Sequence, residues 1–138
     1  MSRERSLLDR LRNPVPESQR TIRQDPRRLQ ESVLQNLRRL LNSRQNVSPA
    51  CMAYGLPDMC DLVYSWPGAA LDMRKAIKVA IETYEPRLRK VSVKQVESPD
   101  DPLLLNYEIT GELVLEEGKA SVWMQTRIDP AGDVDVKG

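Results

Sequence analysis

An α+β domain is predicted, with helices first and a mostly antiparallel sheet of about four strands after them. Three observations carry this. Apolar residues recur at helical spacing through about 27–43 and 69–85, and at spacing two through about 105–128. Between the two regimes stands Tyr84-Glu85-Pro86-Arg87-Leu88. A helical stripe of Met73, Ile77, Ala80, Ile81 and Tyr84 ends there, and a pattern containing Val91 and Val93 follows. Pro86 is the hinge, because proline has no amide hydrogen to donate and disfavours helical geometry at the residue before it. Glu85 and Arg87 are either solvated ends of two elements or the two halves of a fixed polar latch.

The chain of 138 residues is long enough for one domain with one modest core. Phe is absent and aromatics are 4%, so Leu, Ile, Val and Met must build that core. No apolar run approaches the roughly 20 residues that span a bilayer. The N-terminus is too polar for a signal-peptide core, which makes the cytoplasm the expected location. Cys51 and Cys60 form no Cys-x-x-Cys unit and are expected as buried thiols. Histidine is absent, which excludes His-dependent triads, His-ligated zinc and H-E-x-x-H chemistry. No cofactor or metal is called for.

The net charge of +1 hides an asymmetry. Residues 1–50 carry 11 Arg, no Lys and 5 acidic residues, a net +6; the remainder carries −5. A basic half suits nucleic acid, an acidic protein partner, or simply a solvated helical surface.

In chain order, Ser6 to Leu11 reads as a short amphipathic turn or helix with Leu7, Leu8 and Leu11 on one side. It is too short to be stable alone and must lie on its own domain or on a partner. Asn13 to Pro26 is polar, broken by three prolines, and reads as a linker. The arm and linker are thus 1–26, and the single domain is 27–138. Its first helix, about Arg27 to Ser43, places Val33, Leu34, Leu37, Leu40 and Leu41 on one face, flanked by Arg27, Arg28, Arg38 and Arg39. Arg44 follows near the helix end, where a cation suits the dipole. A loop marked by Ser48-Pro49 and Gly55-Leu56-Pro57 leads to a short helix, Asp58 to about Ser65. Trp66-Pro67-Gly68 closes it, and the second long helix runs from about Ala69 to Glu85.

The strand region begins with about Leu88 to Glu97, whose alternation is too irregular to fix a register. Glu116-Glu117-Gly118-Lys119 is a two-residue hairpin signal that would pair Glu116 with Lys119, Leu113 with Val122, Ile109 with Thr126 and Tyr107 with Ile128. On the other face this register sets Glu108 against Arg127 and Glu112 against Trp123. Trp123 then stands on the polar face, as a partner contact or beneath the N-terminal segment. A last strand, about Asp133 to Lys137, completes an open sheet with two edges, either of which is a template for strand addition.

Several signatures now fall in one order: Ser6-Leu7-Leu8-Asp9-Arg10-Leu11, Leu37 to Arg44 (LRRLLNSR), Tyr54-Gly55-Leu56-Pro57-Asp58, and Ile81 to Leu88 (IETYEPRL) before a β-meander. Together the chain resembles the TssE family of type VI secretion baseplates. That family is similar to the baseplate wedge protein of contractile phage tails once labelled "lysozyme-like". The resemblance covers nearly the whole chain, and its most specific element is Glu85-Pro86-Arg87. It implies a structural, non-enzymatic subunit that docks on the wedge subunits TssF and TssG, with TssK as a further contact. It also implies a template on which the TssB/TssC sheath begins by strand exchange. Location would be cytoplasmic, in an assembly docked at the inner membrane, with no membrane insertion. Glu85, Pro86, Arg87, Trp123, Leu7, Leu8 and Leu11 become the expected partner-binding residues.

A lysozyme-like hydrolase needs two carboxylates, with Glu85 as the acid and Asp58, Asp61 or Asp72 as the second, but nothing in their spacing marks a pair. A nucleic-acid module would need a helix-turn-helix, ribonucleoprotein or zinc-finger signature, and the sequence has none.

Overall fold

The computed structural model describes residues 7–12, 25–47, 49–58, 68–101, 104–116 and 118–138. Among the described residues, three helices, α1 (Leu7–Arg12), α2 (Pro26–Asn42) and α3 (Ala69–Tyr84), precede four strands. These are β1 (Leu88–Val96), β2 (Leu105–Leu115), β3 (Gly118–Ile128) and β4 (Val134–Lys137). The sheet is an antiparallel meander in the order β1-β2-β3-β4, as the α+β pattern predicts. The expected short helix from Asp58 to Ser65 lies almost wholly outside the described residues.

Helix α2 starts where its chemistry says a helix can. Asp25 is extended (φ −92°, ψ 112°), and its carboxylate accepts the Arg27 amide at 3.0 Å. Pro26 follows in the first turn, where its missing N–H costs nothing. The predicted linker therefore ends before Pro26, which belongs to the helix. Leu29, Val33, Leu37, Leu40 and Leu41 are buried along α2, and Met73, Ile77, Ala80 and Ile81 along α3. They meet Tyr107, Ile109, Leu113, Val122, Met124 and Ile128 from one face of the sheet in a single core. Each fully buried Leu or Ile contributes about 1.5–3 kcal/mol, so this interface holds the two layers together.

The hairpin is shifted from the predicted register. Leu115 pairs with Gly118, Leu113 with Ala120, Ile109 with Met124, Tyr107 with Thr126 and Leu105 with Ile128. Gly118 has φ +146°, backbone that only glycine adopts readily, and it opens β3 rather than closing the loop. Each partner moves by two residues, so the apolar faces stay matched and periodicity could not reveal the error. The polar face does change. Glu108 lies opposite Gln125 rather than Arg127, and Glu112 opposite Ser121 rather than Trp123.

The irregular first strand has a physical cause. Leu88 pairs with Leu113 and Arg89 with Glu112, but Ser92 pairs with Thr110, so Lys90 and Val91 share the space opposite Gly111. This is a β-bulge, with Lys90 in the left-handed region at φ +52°. It turns Leu88, Val91 and Val93 all toward the core. From Ser92 to Val96 the pairing is one to one.

Candidate partner-binding site

The corner after α3 is built from a carboxylate with no freedom left. Glu85 is 1% exposed. Its Oε1 accepts from Arg87 Nε at 2.7 Å and its Oε2 from Arg87 Nη2 at 2.9 Å, a two-point fork across one proline. Asn36 Nδ2 of α2 donates to the same Oε2 at 2.7 Å, and Arg87 Nη1 donates to the Ser32 hydroxyl of α2 at 3.0 Å. The end of α3, the start of β1 and the flank of α2 are thus tied through one ion pair. Pro86 makes this possible by holding Glu85 out of the helix (φ −125°, ψ 78°).

The solvated reading of Glu85 is therefore replaced by the latch, and its partner is Arg87 of the same chain. Ser32 and Asn36 complete it and were missed in the sequence. A signal was there: Ser32 is a polar residue inside the apolar stripe of α2, and Asn36 follows one turn later.

Trp123 stands on the sheet face away from the helices, 48% exposed. Among the described residues its ring is left half open, and its indole N–H donates to Glu108, a diagonal neighbour created by the shifted register. Leu7, Leu8 and Leu11 are 63%, 71% and 72% exposed on α1. The structure thus gathers Glu85, Pro86 and Arg87 into one site and leaves Trp123 and the α1 leucines as separate surfaces.

The loop containing Tyr54-Gly55-Leu56-Pro57-Asp58 is tied to the end of α2. Leu56 N–H donates to Ser43 O at 2.8 Å, and Gln45 N–H donates to Leu56 O at 3.0 Å. Gly55 has φ +106°, and a methyl group there would overlap the Ser43 carbonyl, so both conformation and space require glycine. Tyr54 packs edge-on against Tyr84 with ring centroids 5.0 Å apart. Cys51, expected buried, is exposed, with Sγ 3.4 Å from the Tyr84 hydroxyl. That contact is the largest cause raising the Tyr84 pKa, ahead of burial. Cys60 lies outside the described residues.

Several arginines of the basic half serve the fold. Arg44 Nη2 donates to Ala131 O at 2.9 Å and its Nη1 lies 3.8 Å from the Asp58 carboxylate. Arg38 Nε donates to Val136 O at 3.1 Å. No cluster of potential metal ligands occurs among the described residues, and no described helix is long and apolar enough to cross a membrane. A cleft of about 250 Å³ lies between the β1–β2 loop and the polar face of the sheet, lined by Glu97, Ser98, Asn106, Gln125, Arg127 and Asp135 among others. Glu85 is not part of it.

A search of curated proteins finds no match. Among solved structures, the chain is similar to a chain of "The baseplate complex from the type VI secretion system". The TM-score is 0.59 at 23% identity, over 75% of this chain and 96% of that one. The sequence matches the family described as baseplate wedge protein gp25 across residues 27–117, from α2 through the β2–β3 turn, and so includes the whole latch. By that match the chain belongs to the baseplate wedge protein gp25 family.

Proposed function

We propose that this chain is a structural wedge subunit of a type VI secretion baseplate, the TssE-type component. It docks on TssF and TssG, with TssK as a further contact, and presents its sheet as the starting template for the TssB/TssC sheath. The observation that carries this reading is the match across residues 27–117, with the Glu85–Arg87 latch intact inside it. The likeness to a chain of a type VI baseplate complex favours the secretion branch over the phage one.

In this reading the latch is an anchor. It fixes the angle between α2 and the sheet, so that surfaces on both layers meet partners in one geometry. Arg87 keeps part of its side chain in solvent, with 21% exposure, and can meet a partner carboxylate while still holding Glu85. The α1 leucines are a second contact, since six helical residues with three exposed leucines are stable only against a surface. Trp123 is a third, on the opposite face. Work at the cytoplasmic side of the inner membrane, in an assembly docked there, follows from the same role. Catalysis does not: both oxygens of Glu85 accept from Arg87 and Asn36, which commits the carboxylate to holding the corner.

The test is co-purification of wedge subunits and sheath with wild type, a deletion of residues 1–24 that spares the Asp25 cap of α2, Arg87→Ala and Trp123→Ala. Loss of wedge subunits with the deletion or with Arg87→Ala, in protein that remains folded by circular dichroism, is the expected result. Retention of every partner by all three variants would overturn it. Sugar release from peptidoglycan by the purified protein, lost in Glu85→Gln, would overturn the non-enzymatic reading.

A further inference from the structure

The two edges of the sheet are not equivalent. On β4 the outward main-chain groups are occupied by side chains of α2. Asn42 Oδ1 accepts the Val134 N–H at 3.0 Å, and Asn42 Nδ2 donates to the Val134 carbonyl at 2.9 Å. Arg38 Nε takes the Val136 carbonyl at 3.1 Å. A carboxamide is the side-chain counterpart of a peptide group, and here it makes the pair of bonds that a neighbouring strand would make. The second Asn42 donor is held by Arg38 O at 2.8 Å, which fixes the amide in place on the helix. A fifth strand cannot pair at Val134 without first displacing it.

On β1 the situation is reversed. Among the described residues no side chain bonds to the backbone of Ser92–Val96. The bulge at Lys90–Val91 distorts the start of this edge, leaving five regularly paired residues as a template. The strand carries Arg89, Lys90 and Lys94 and no acidic residue; Glu97 lies just beyond its end. Lys90 Nζ is 3.2 Å from Glu112, whereas Arg89 and Lys94 form no ion pair among the described residues.

We propose that α2 closes the β4 edge with Asn42 and Arg38, confining strand addition to the β1 edge, whose cations select an extended polypeptide segment carrying carboxylates. Opposite charges directly across two strands stabilise the pair and like charges oppose it, so Lys94 inside the template, with Arg89 adding positive charge at its distorted start, favours acidic over basic segments. The proposal rests on the reading that this sheet joins its partner by strand addition, and it names the edge and the chemistry.

The probes are two synthetic eight-residue peptides, threonine alternating with glutamate and threonine alternating with lysine. Each is added to the full chain while amide hydrogen exchange is followed by NMR. The glutamate peptide is expected to slow exchange of outward-facing amides in Ser92–Val96 about tenfold, leave Val134 unchanged, and lose its effect in about 1 M salt. In Asn42→Ala, Val134 exchange is expected to rise about tenfold in the free protein and to fall again when the glutamate peptide is added. Protection of Val134 in the wild type overturns the proposal, as does equal protection of β1 by the lysine peptide. That second result would leave the proposed function standing, whereas protection of neither edge by either peptide would remove strand addition from both.

Discussion

Glu85 grips Arg87 at two points across a single proline, and the carboxylate that does so is almost completely buried. A buried ion pair is costly to break from one side only, because the remaining charge has no partner. Arg87→Ala is therefore expected to destabilise the domain by about 3–5 kcal/mol in urea titration. Arg87→Lys keeps the charge and loses the fork, and should fall between. Equal stability of Arg87→Ala and wild type would mean that the corner is held by Pro86 and packing alone.

Asn42 joins residues 92 apart in sequence. Asn42→Asp keeps the acceptor for Val134 N–H but sets an anion against the Val134 carbonyl. It is expected to cost about 1–3 kcal/mol, more than Asn42→Ser if repulsion rather than lost bonding is the larger effect. Paired urea titrations of the two variants decide this.

Tyr107 titrates far from its ordinary range. Burial pushes its pKa from 10 up to about 12, with the Arg74 cation acting in the opposite sense. Its hydroxyl donates to Ala70 O at 2.8 Å. A raised folded-state pKa means that the native protein holds the proton more tightly than the unfolded chain. The contribution is fully present below pH 10 and is lost as pH rises from 10 through about 12. Thermal melts across pH 8–12 should show that loss in wild type and a shallower one in Tyr107→Phe.

Lys90 tests the bulge. A β-branched residue is poorly accommodated at its φ of +52°, so Lys90→Val is expected to cost about 1–2 kcal/mol. Lys90→Gly should stay within about 1 kcal/mol of wild type, since relief of the backbone offsets the freedom glycine adds to the unfolded chain. The same melts measure both.

Gly55→Ala meets both a positive φ and the Ser43 backbone. A loss of about 2–4 kcal/mol is expected, with the Tyr54–Tyr84 contact disturbed as read by near-ultraviolet circular dichroism.

How far the sequence can be read here depends on what sort of signal each feature leaves. The helical stripes of α2 and α3 and the alternation of β2 and β3 are periodic, and they placed both layers and the buried face. The hairpin register escaped because a shift of two residues preserves alternation, and only the conformation of Gly118 decides it. The bulge at Lys90 was visible as broken alternation, yet its form depends on the space opposite Gly111. The latch was legible in part: Pro86 marks a corner, but nothing local to Glu85 says that Ser32 and Asn36, 55 and 49 residues from their partners, close on it. The edge cap was invisible, since Asn42 at a helix end reads as a capping residue whatever lies across from it.

The latch is also a path for force. A pull on β1 reaches α3 along the chain through Pro86, whose ring removes rotation about φ and with it most of the slack. The same pull reaches α2 sideways through Arg87 to Ser32 and through Glu85 to Asn36. Tension entering at the sheet is thereby divided between two helices at one point instead of peeling the strand away. A subunit wired in this way moves as a unit when a neighbour pulls on its sheet.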